Sequence, residues 1–372
     1  MSKGQLFQPA HLRLDVIAGL TAAAVVLPKA LAYATVARLP VAVGLYTAFV
    51  PLLMYALLGT SRVLSVTSTA TLAILTGTEL EAIVTAGEPD RLIAAAATLS
   101  VLTGVFLVIA SVARLGFVAN FISTPVLVGF KAGIGCVILL DQAPKLLGLH
   151  LTKQDFFHDL IQLFAQLPKT SLTTLAVGAG TLVGVLLLKR YTPQLPAPLL
   201  AVAGGIGASW YLQLEAVGVE VVGSIPDGLP SVTWPDLSLT GALVPGALGI
   251  ALMSFAESIA AARAFSVASD PPLRPNRELW ATGMSNLAGG LLGGMPAGGG
   301  TSQTAVTRAA GASTQQASIV VALVSLGTML FLGPVLGRMP QATLAAVVIV
   351  YSVSLIQPKE FAAIRRVRRM EF

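Results

Sequence analysis

The sequence predicts an all-α polytopic membrane protein. Of its 372 residues, 55% are hydrophobic and only 11% are charged, and the mean hydropathy is +0.82. An ordinary soluble domain carries about 25% charged residues, and a disordered chain is poor in apolar ones. Apolar stretches of about 20 residues, the length that crosses a bilayer, also recur along the whole chain.

The elements follow in order. Residues 1–15 have no short apolar core followed by a cleavage site, so a cytosolic lead-in is expected and not a signal peptide. Spanning segments are expected at 16–35, 42–58, 92–113, 121–144, 171–188, 197–214, 241–262, 279–292, 316–336 and 341–356. Two further apolar segments are too short or too polar to span alone: 61–77 (SRVLSVTSTATLAILTG) and 293–309 (GGMPAGGGTSQTAVTRA). Counted as half-helices entering the membrane, they bring the total to twelve. Residues 152–167 place Phe156, Phe157, Leu160, Ile161, Phe164 and Leu167 at helical spacing, which predicts an amphipathic helix in the outer interface. The stretch 215–236 is acidic, rich in Val, Gly and Pro and without Lys or Arg, and reads as an extracellular connection. The chain divides best near residue 240, into 1–240 and 241–372.

The basic residues set the orientation. With a cytoplasmic N-terminus, 15 of the 23 Lys and Arg fall inside and 6 outside, while Lys29 and Lys131 fall within spans. Cytoplasmic loops carry such an excess, so the net charge of +6 needs no nucleic-acid partner. The expected location is the inner membrane, multi-pass. The single cysteine, Cys136, excludes an internal disulfide, and the three histidines suggest no metal cluster. No metal and no cofactor is expected. HExxH, Walker A and G-x-S-x-G patterns do not occur, so an enzyme is not expected.

The two short segments share chemistry. Each is dense in Ser, Thr, Gly and Ala, and each falls third within its half. A helix that starts in mid-membrane leaves its first N–H groups unpaired and points a positive dipole end at a cavity. Two such ends facing each other make an anion site without a full charge. Proteins built from inverted repeats place interrupted segments in this way. Ser65, Thr67, Ser68, Thr69, Thr301, Ser302 and Thr304 can add hydroxyl groups. The competing reading is that small residues only allow close helix packing.

The chain resembles the SulP anion transporters, the sulfate permease family, as a prokaryotic member. The carrying residues are LPKALAYATVARLPVAVGLYTAFVPLLMYALLGTSR (27–62), with its G-L-Y-T-A and G-T-S-R runs, SFAESIAAARAFS (254–266), NLAGGLLGGMPAGGGTSQTAV (286–306) and MPQATLAAVVIV (339–350). The resemblance implies fourteen segments in two inverted repeats of seven, as in the uracil permease fold. It implies a core domain from 15–113 and 241–336, and a gate domain from 117–215 and 340–357. It places a substrate between the half-helices near the midplane. Against that pattern the chain stops before segments 13 and 14 and shows no C-terminal STAS domain, the region through which a homodimer is implied.

Ionisable residues at bilayer depth cost at least ~2.5–3.5 kcal/mol, so each needs a reason. Lys29 lies about 21 Å into the first span at about 1.5 Å per residue. The family has Gln there, lining the site. A lysine adds a full positive charge, which suits a divalent or carboxylate anion. Tyr33 lies one turn later on the same face. Glu257 matches the family's F-A-E-S motif in segment 8. A carboxyl group in low dielectric can take up and release a proton, as proton coupling requires. A sodium-ligand role and a permanent pairing with Lys29 are the competing readings. Lys131 is expected to snorkel to the inner surface. Where the family has an aromatic and an Arg, Thr69 and Gln303 stand, which favours a roomier, more polar site. The implied function is secondary active transport of a small anion (sulfate, bicarbonate or a dicarboxylate such as fumarate), with proton symport. The alternatives are an anion channel or exchanger, and a sodium-coupled symporter. The expected partners are the anion, the coupling ion and the lipid bilayer.

Overall fold

The computed structural model describes residues 9–83, 89–120, 124–151, 156–192, 197–223, 228–267, 270–353, 356–358 and 361–362. The elements run α1 (Pro9–Val36), α2 (Val41–Leu58), β1 (Val66–Thr67), α3 (Ala70–Ile83), α4 (Pro89–Val112), α5 (Thr124–Leu147), α6 (Phe156–Gln166), α7 (Leu172–Tyr191) and α8 (Ala197–Leu212). They continue with α9 (Thr240–Ala264), α10 (Pro275–Leu291), β2 (Gly298–Gly299), α11 (Thr301–Ala309), α12 (Gln316–Phe331), α13 (Gly333–Gly337) and α14 (Gln341–Val353). Among the described residues, α1, α2, α4, α7 and α9 are long and apolar enough to cross a membrane, and α8, α12 and α14 are shorter apolar helices.

The chain forms two compact units, each assembled from two separate stretches of the sequence. The first comprises Met1–Phe121 and Pro226–Gly333, and the second Ile122–Ile225 and Pro334–Phe372.

In the first unit α1 packs against α2, α12 and α11, and α10 packs against α4 and α2. The contact faces are lined by small residues. Ala18, Ala22, Ala30 and Ala34 of α1 are fully buried, which lets backbones approach and recovers dispersion energy where lipid supplies no hydrophobic drive. The closest approach is at Gly44 of α2, where a Cβ would lie 2.1 Å from the Ala30 carbonyl oxygen. Only glycine fits there.

Two buried acids tie the linkers that flank the half-helices. Asp15 accepts from the backbone N–H groups of Ser313 (2.8 Å) and Thr314 (3.3 Å) and from the Thr314 hydroxyl (2.5 Å), just ahead of α12. Glu278 accepts from the Tyr55 hydroxyl at 2.6 Å, from the Thr60 N–H at 2.8 Å, and from the Thr60 hydroxyl. Gln315 then joins the two linkers, donating to the carbonyls of Ser61 (2.9 Å) and Leu64 (3.0 Å). A buried donor left without its acceptor costs about 1–3 kcal/mol, so these bonds hold the linkers although they carry no helix.

In the second unit α14 packs on α5, α7 and α8, with Val185, Ala197, Val347 and Val350 at the contact. Ser171 caps α7, its hydroxyl accepting the Thr174 N–H at 3.3 Å. Val221 bridges Pro340 in antiparallel fashion. The expected amphipathic helix forms as α6, with no side chain buried and Phe157, Ile161 and Phe164 exposed. Residues 152–155 of that expectation, and the side chain of Lys131, lie outside the described residues.

The structure corrects several boundaries. The half-helices begin at Ala70 and Thr301, later than the expected 61 and 293, because each is preceded by an extended linker and a two-residue strand. The segment expected at 316–336 is interrupted between α12 and α13 at Leu332. Pro334 follows two residues later, and a proline cannot supply the N–H that a continuous helix would need.

Candidate functional site

The site lies within the first unit and is organised by β1 and β2. These strands pair antiparallel, Val66 opposite Gly299 and Thr67 opposite Gly298. The Gly300 N–H extends the ladder to the Ser65 carbonyl at 3.0 Å. Each strand leads within three residues into a half-helix. Antiparallel strands followed by helices send those helices in opposite directions, with both N-termini at the shared ladder. The first-turn N–H groups of α3 and α11 therefore face a common centre, each with its partial positive charge.

Neighbouring side chains build the ladder. Ser254 of α9 donates to the Ala297 carbonyl at 2.7 Å, and Ser258, one turn later, accepts the Gly299 N–H at 2.8 Å. Asn286 of α10 clamps Ala297 from both sides, accepting its N–H at 2.8 Å and donating to its carbonyl at 2.9 Å. A Cβ on Gly299 would lie 2.6 Å from the Ser258 Cα, so the glycine run is needed for α9 to reach the strand. The half-helices also hold each other. Thr304 accepts the Ser65 N–H at 3.1 Å, and Gln303 donates to the Ser68 carbonyl at 3.1 Å.

The two deep charges each engage one half-helix, in crossed fashion. Lys29 of α1 donates from Nζ to Ser302 Oγ at 2.8 Å, in the first turn of α11. Glu257 of α9 accepts through Oε2 from the Thr69 hydroxyl at 2.9 Å, and Thr69 Oγ1 in turn accepts the Leu72 N–H at 3.3 Å as the cap of α3. Both charged residues are buried, Lys29 at 1% and Glu257 at 6% exposure. Tyr33 is buried on α1.

The other expected residues separate by environment. Ser65 is buried and contributes its backbone to the ladder. Thr67 and Ser68 are fully buried, and their hydroxyls, like the Gln303 Oε1, have no hydrogen-bond partner among the described residues. Thr301 and Ser302 are exposed at the start of α11. The expected residues on the strands and half-helices, with Lys29 and Glu257, thus converge on one junction. The sequence reasoning did not identify Ser254, Ser258 or Asn286 as its scaffold. A signal existed for two of them: Ser254 and Ser258 are spaced i, i+4 on either side of Glu257. The apolar groove of about 600 Å³ between α7 and α8, lined by Gly180, Gly184, Gly204 and Gly205, lies in the second unit and carries no charged group.

Head-to-head half-helices on a two-strand ladder, within packed apolar helices, define a multi-pass membrane protein of inverted-repeat architecture. Residues 12–372 match the sulfate permease family, and the chain belongs to it. A probable sulfate transporter of Mycobacterium tuberculosis is 37% identical over 98% of this chain, which spans 65% of that relative's length. The fold is shared with the murine Slc26a9 anion transporter in its inward-facing state (TM-score 0.92, 24% identity, 98% of this chain and 64% of that one). It is shared also with the transmembrane domain of the cyanobacterial bicarbonate transporter BicA (TM-score 0.84, 23% identity, 94% and 91%).

Proposed function

We propose that the protein is a secondary active transporter of a small anion, coupled to protons and working by alternating access. The observation that carries this reading is the Lys29–Ser302 bond at 2.8 Å. It sets a buried cation at the first turn of one half-helix, where the N-terminus of the other also points. Relatives named as sulfate and anion transporters support the substrate class. Sulfate, bicarbonate and dicarboxylates such as fumarate are the candidates. The hydroxyls of Thr67, Ser68, Thr69, Thr301 and Ser302, with Gln303, are the polar groups offered to it. Tyr33 completes the set, and Lys29 adds positive charge through its bond to Ser302.

Glu257 is the proposed coupling group, and Thr69 is its link to the anion. While Glu257 is ionised, the Thr69 hydroxyl proton is committed to it at 2.9 Å, and Thr69 turns lone pairs toward the site. When Glu257 takes up a proton, it can donate to Thr69, whose own proton is then free to turn toward an anion. Protonation thus removes a repelling charge and supplies a donor in one step. In this reading the first unit carries the substrate, the second is the gate, and the N-terminus is cytoplasmic.

Accumulation of labelled sulfate and fumarate in proteoliposomes tests the reading, with proton and sodium gradients imposed separately. Uptake above equilibrium is expected under an inward proton gradient alone. Uptake driven only by sodium would replace the proton with a metal ion at Glu257, and large electrical conductance without accumulation would indicate a channel.

A further inference from the structure

We propose that Lys29 acts on the anion through Ser302 and does not touch it. Ser302 is the contact, and Lys29 is a positioning residue that also sets the charge preference. The inference rests on the anion-transport reading above and deepens it.

Two observations carry it. First, the burial is unequal: Lys29 is 1% exposed, while Ser302 is exposed in the first turn of α11. The ammonium is shielded from the surface, while the hydroxyl it bonds to is not. Second, the donor direction is fixed. An ammonium has three donors and no acceptor, so at 2.8 Å the Ser302 Oγ accepts. The single serine proton therefore points elsewhere and remains available to an anion. A hydroxyl that accepts from a cation is polarised into a stronger donor.

A charge set back by one hydroxyl acts chiefly as a field. Its effect grows with the charge of the ligand, whereas the direct contact is a single hydrogen bond that any oxyanion can accept. The substrate class this favours is a doubly charged oxyanion, sulfate-like or a dicarboxylate, over a singly charged one of similar size. Ser302 supplies the contact and Lys29 supplies the discrimination, and neither works fully without the other.

The test is a double-mutant cycle on the purified full chain, titrated with sulfate and with nitrate by calorimetry. Lys29→Gln and Ser302→Ala are each expected to weaken sulfate binding about tenfold or more. Both should lower the sulfate-to-nitrate preference. The double variant should be no weaker than the worse single by more than about twofold. Ser302→Thr, which keeps the hydroxyl, should retain most of the preference. Losses that multiply would place the ammonium on the anion independently and overturn the proposal, as would unchanged sulfate binding in Lys29→Gln. Lys29→Met replaces Lys29→Gln if the latter elutes as aggregate. A wild-type chain that binds neither sulfate nor nitrate detectably overturns the transport reading itself, a result distinct from additivity.

Discussion

Replacing Glu257 by Gln removes a charge and a titratable proton while keeping the side-chain shape and an oxygen that accepts from Thr69. The magnitude follows from the geometry. The Thr69 hydroxyl lies 2.9 Å from Glu257 Oε2. An anion oxygen bonded to that hydroxyl at about 2.8 Å would stand roughly 5 Å from the carboxylate. Two unit charges about 5 Å apart, at an effective dielectric of about 20, repel by roughly 3 kcal/mol. That amounts to about two decades of affinity at about 1.4 kcal/mol per decade. The neutral acid is the form that favours the anion. Wild-type affinity is therefore highest at low pH and falls as pH rises through the titration of Glu257, by up to one decade per pH unit, levelling after about two decades. Glu257→Gln should bind with the low-pH affinity of the wild type at every pH. Titration calorimetry with singly charged nitrate between acid and mildly alkaline pH measures both curves, and doubly charged sulfate should fall by about twice as many decades. A variant that keeps the wild-type slope would show that another group carries the proton and would refute the reasoning.

Further expectations concern the scaffold. Gly299→Ala forces a Cβ to 2.6 Å from the Ser258 Cα, whereas Gly180 has nothing within 4 Å. Overpacking costs about 1–3 kcal/mol, so Gly299→Ala should lower the melting temperature of the detergent-purified protein while Gly180→Ala leaves it unchanged or raises it. Asp15→Ala strips three acceptor contacts ahead of α12. Loss of a comparable cap costs about 1–2 kcal/mol, and the same thermal assay should register it, with Asp15→Asn falling between. Phe164→Ser exposes a polar group on the apolar face of α6. If that face lies in lipid, a fluorophore attached at position 161 should shift from a blue to a red emission maximum, and an unchanged spectrum would place the helix in water.

Much of this was legible in the sequence, for physical reasons that differ by element. The spanning helices follow from composition alone, because lipid requires about 20 apolar residues and tolerates few charges. The pairing of the two Ser/Thr/Gly segments was legible because interrupted helices recur at matching places in inverted repeats. Lys29 and Glu257 stood out because ionisable groups at depth are rare. Their crossed partners were not legible. The bonds Lys29–Ser302 and Glu257–Thr69 join residues 273 and 188 positions apart, and no periodicity reports such contacts. The strands β1 and β2 were also missed, since two-residue strands have no alternation to detect. Gly298 and Gly299 read as loop residues, although their glycine character reflects the approach of α9. Asp15 falls in the expected lead-in, and Glu278 lies just before the span expected at 279–292. Their role as acceptors for linker backbone depends on neighbours brought in from the other half of the chain.

The most direct test is whether anion entry carries protons through this junction. Proteoliposomes holding a pH-sensitive dye, with no imposed gradient, should acidify inside when sulfate or fumarate is added, and Glu257→Gln liposomes should take up the anion without acidifying. Anion uptake by the wild type with no internal acidification, or equal acidification in the Glu257→Gln variant, would contradict the coupling of the two sites.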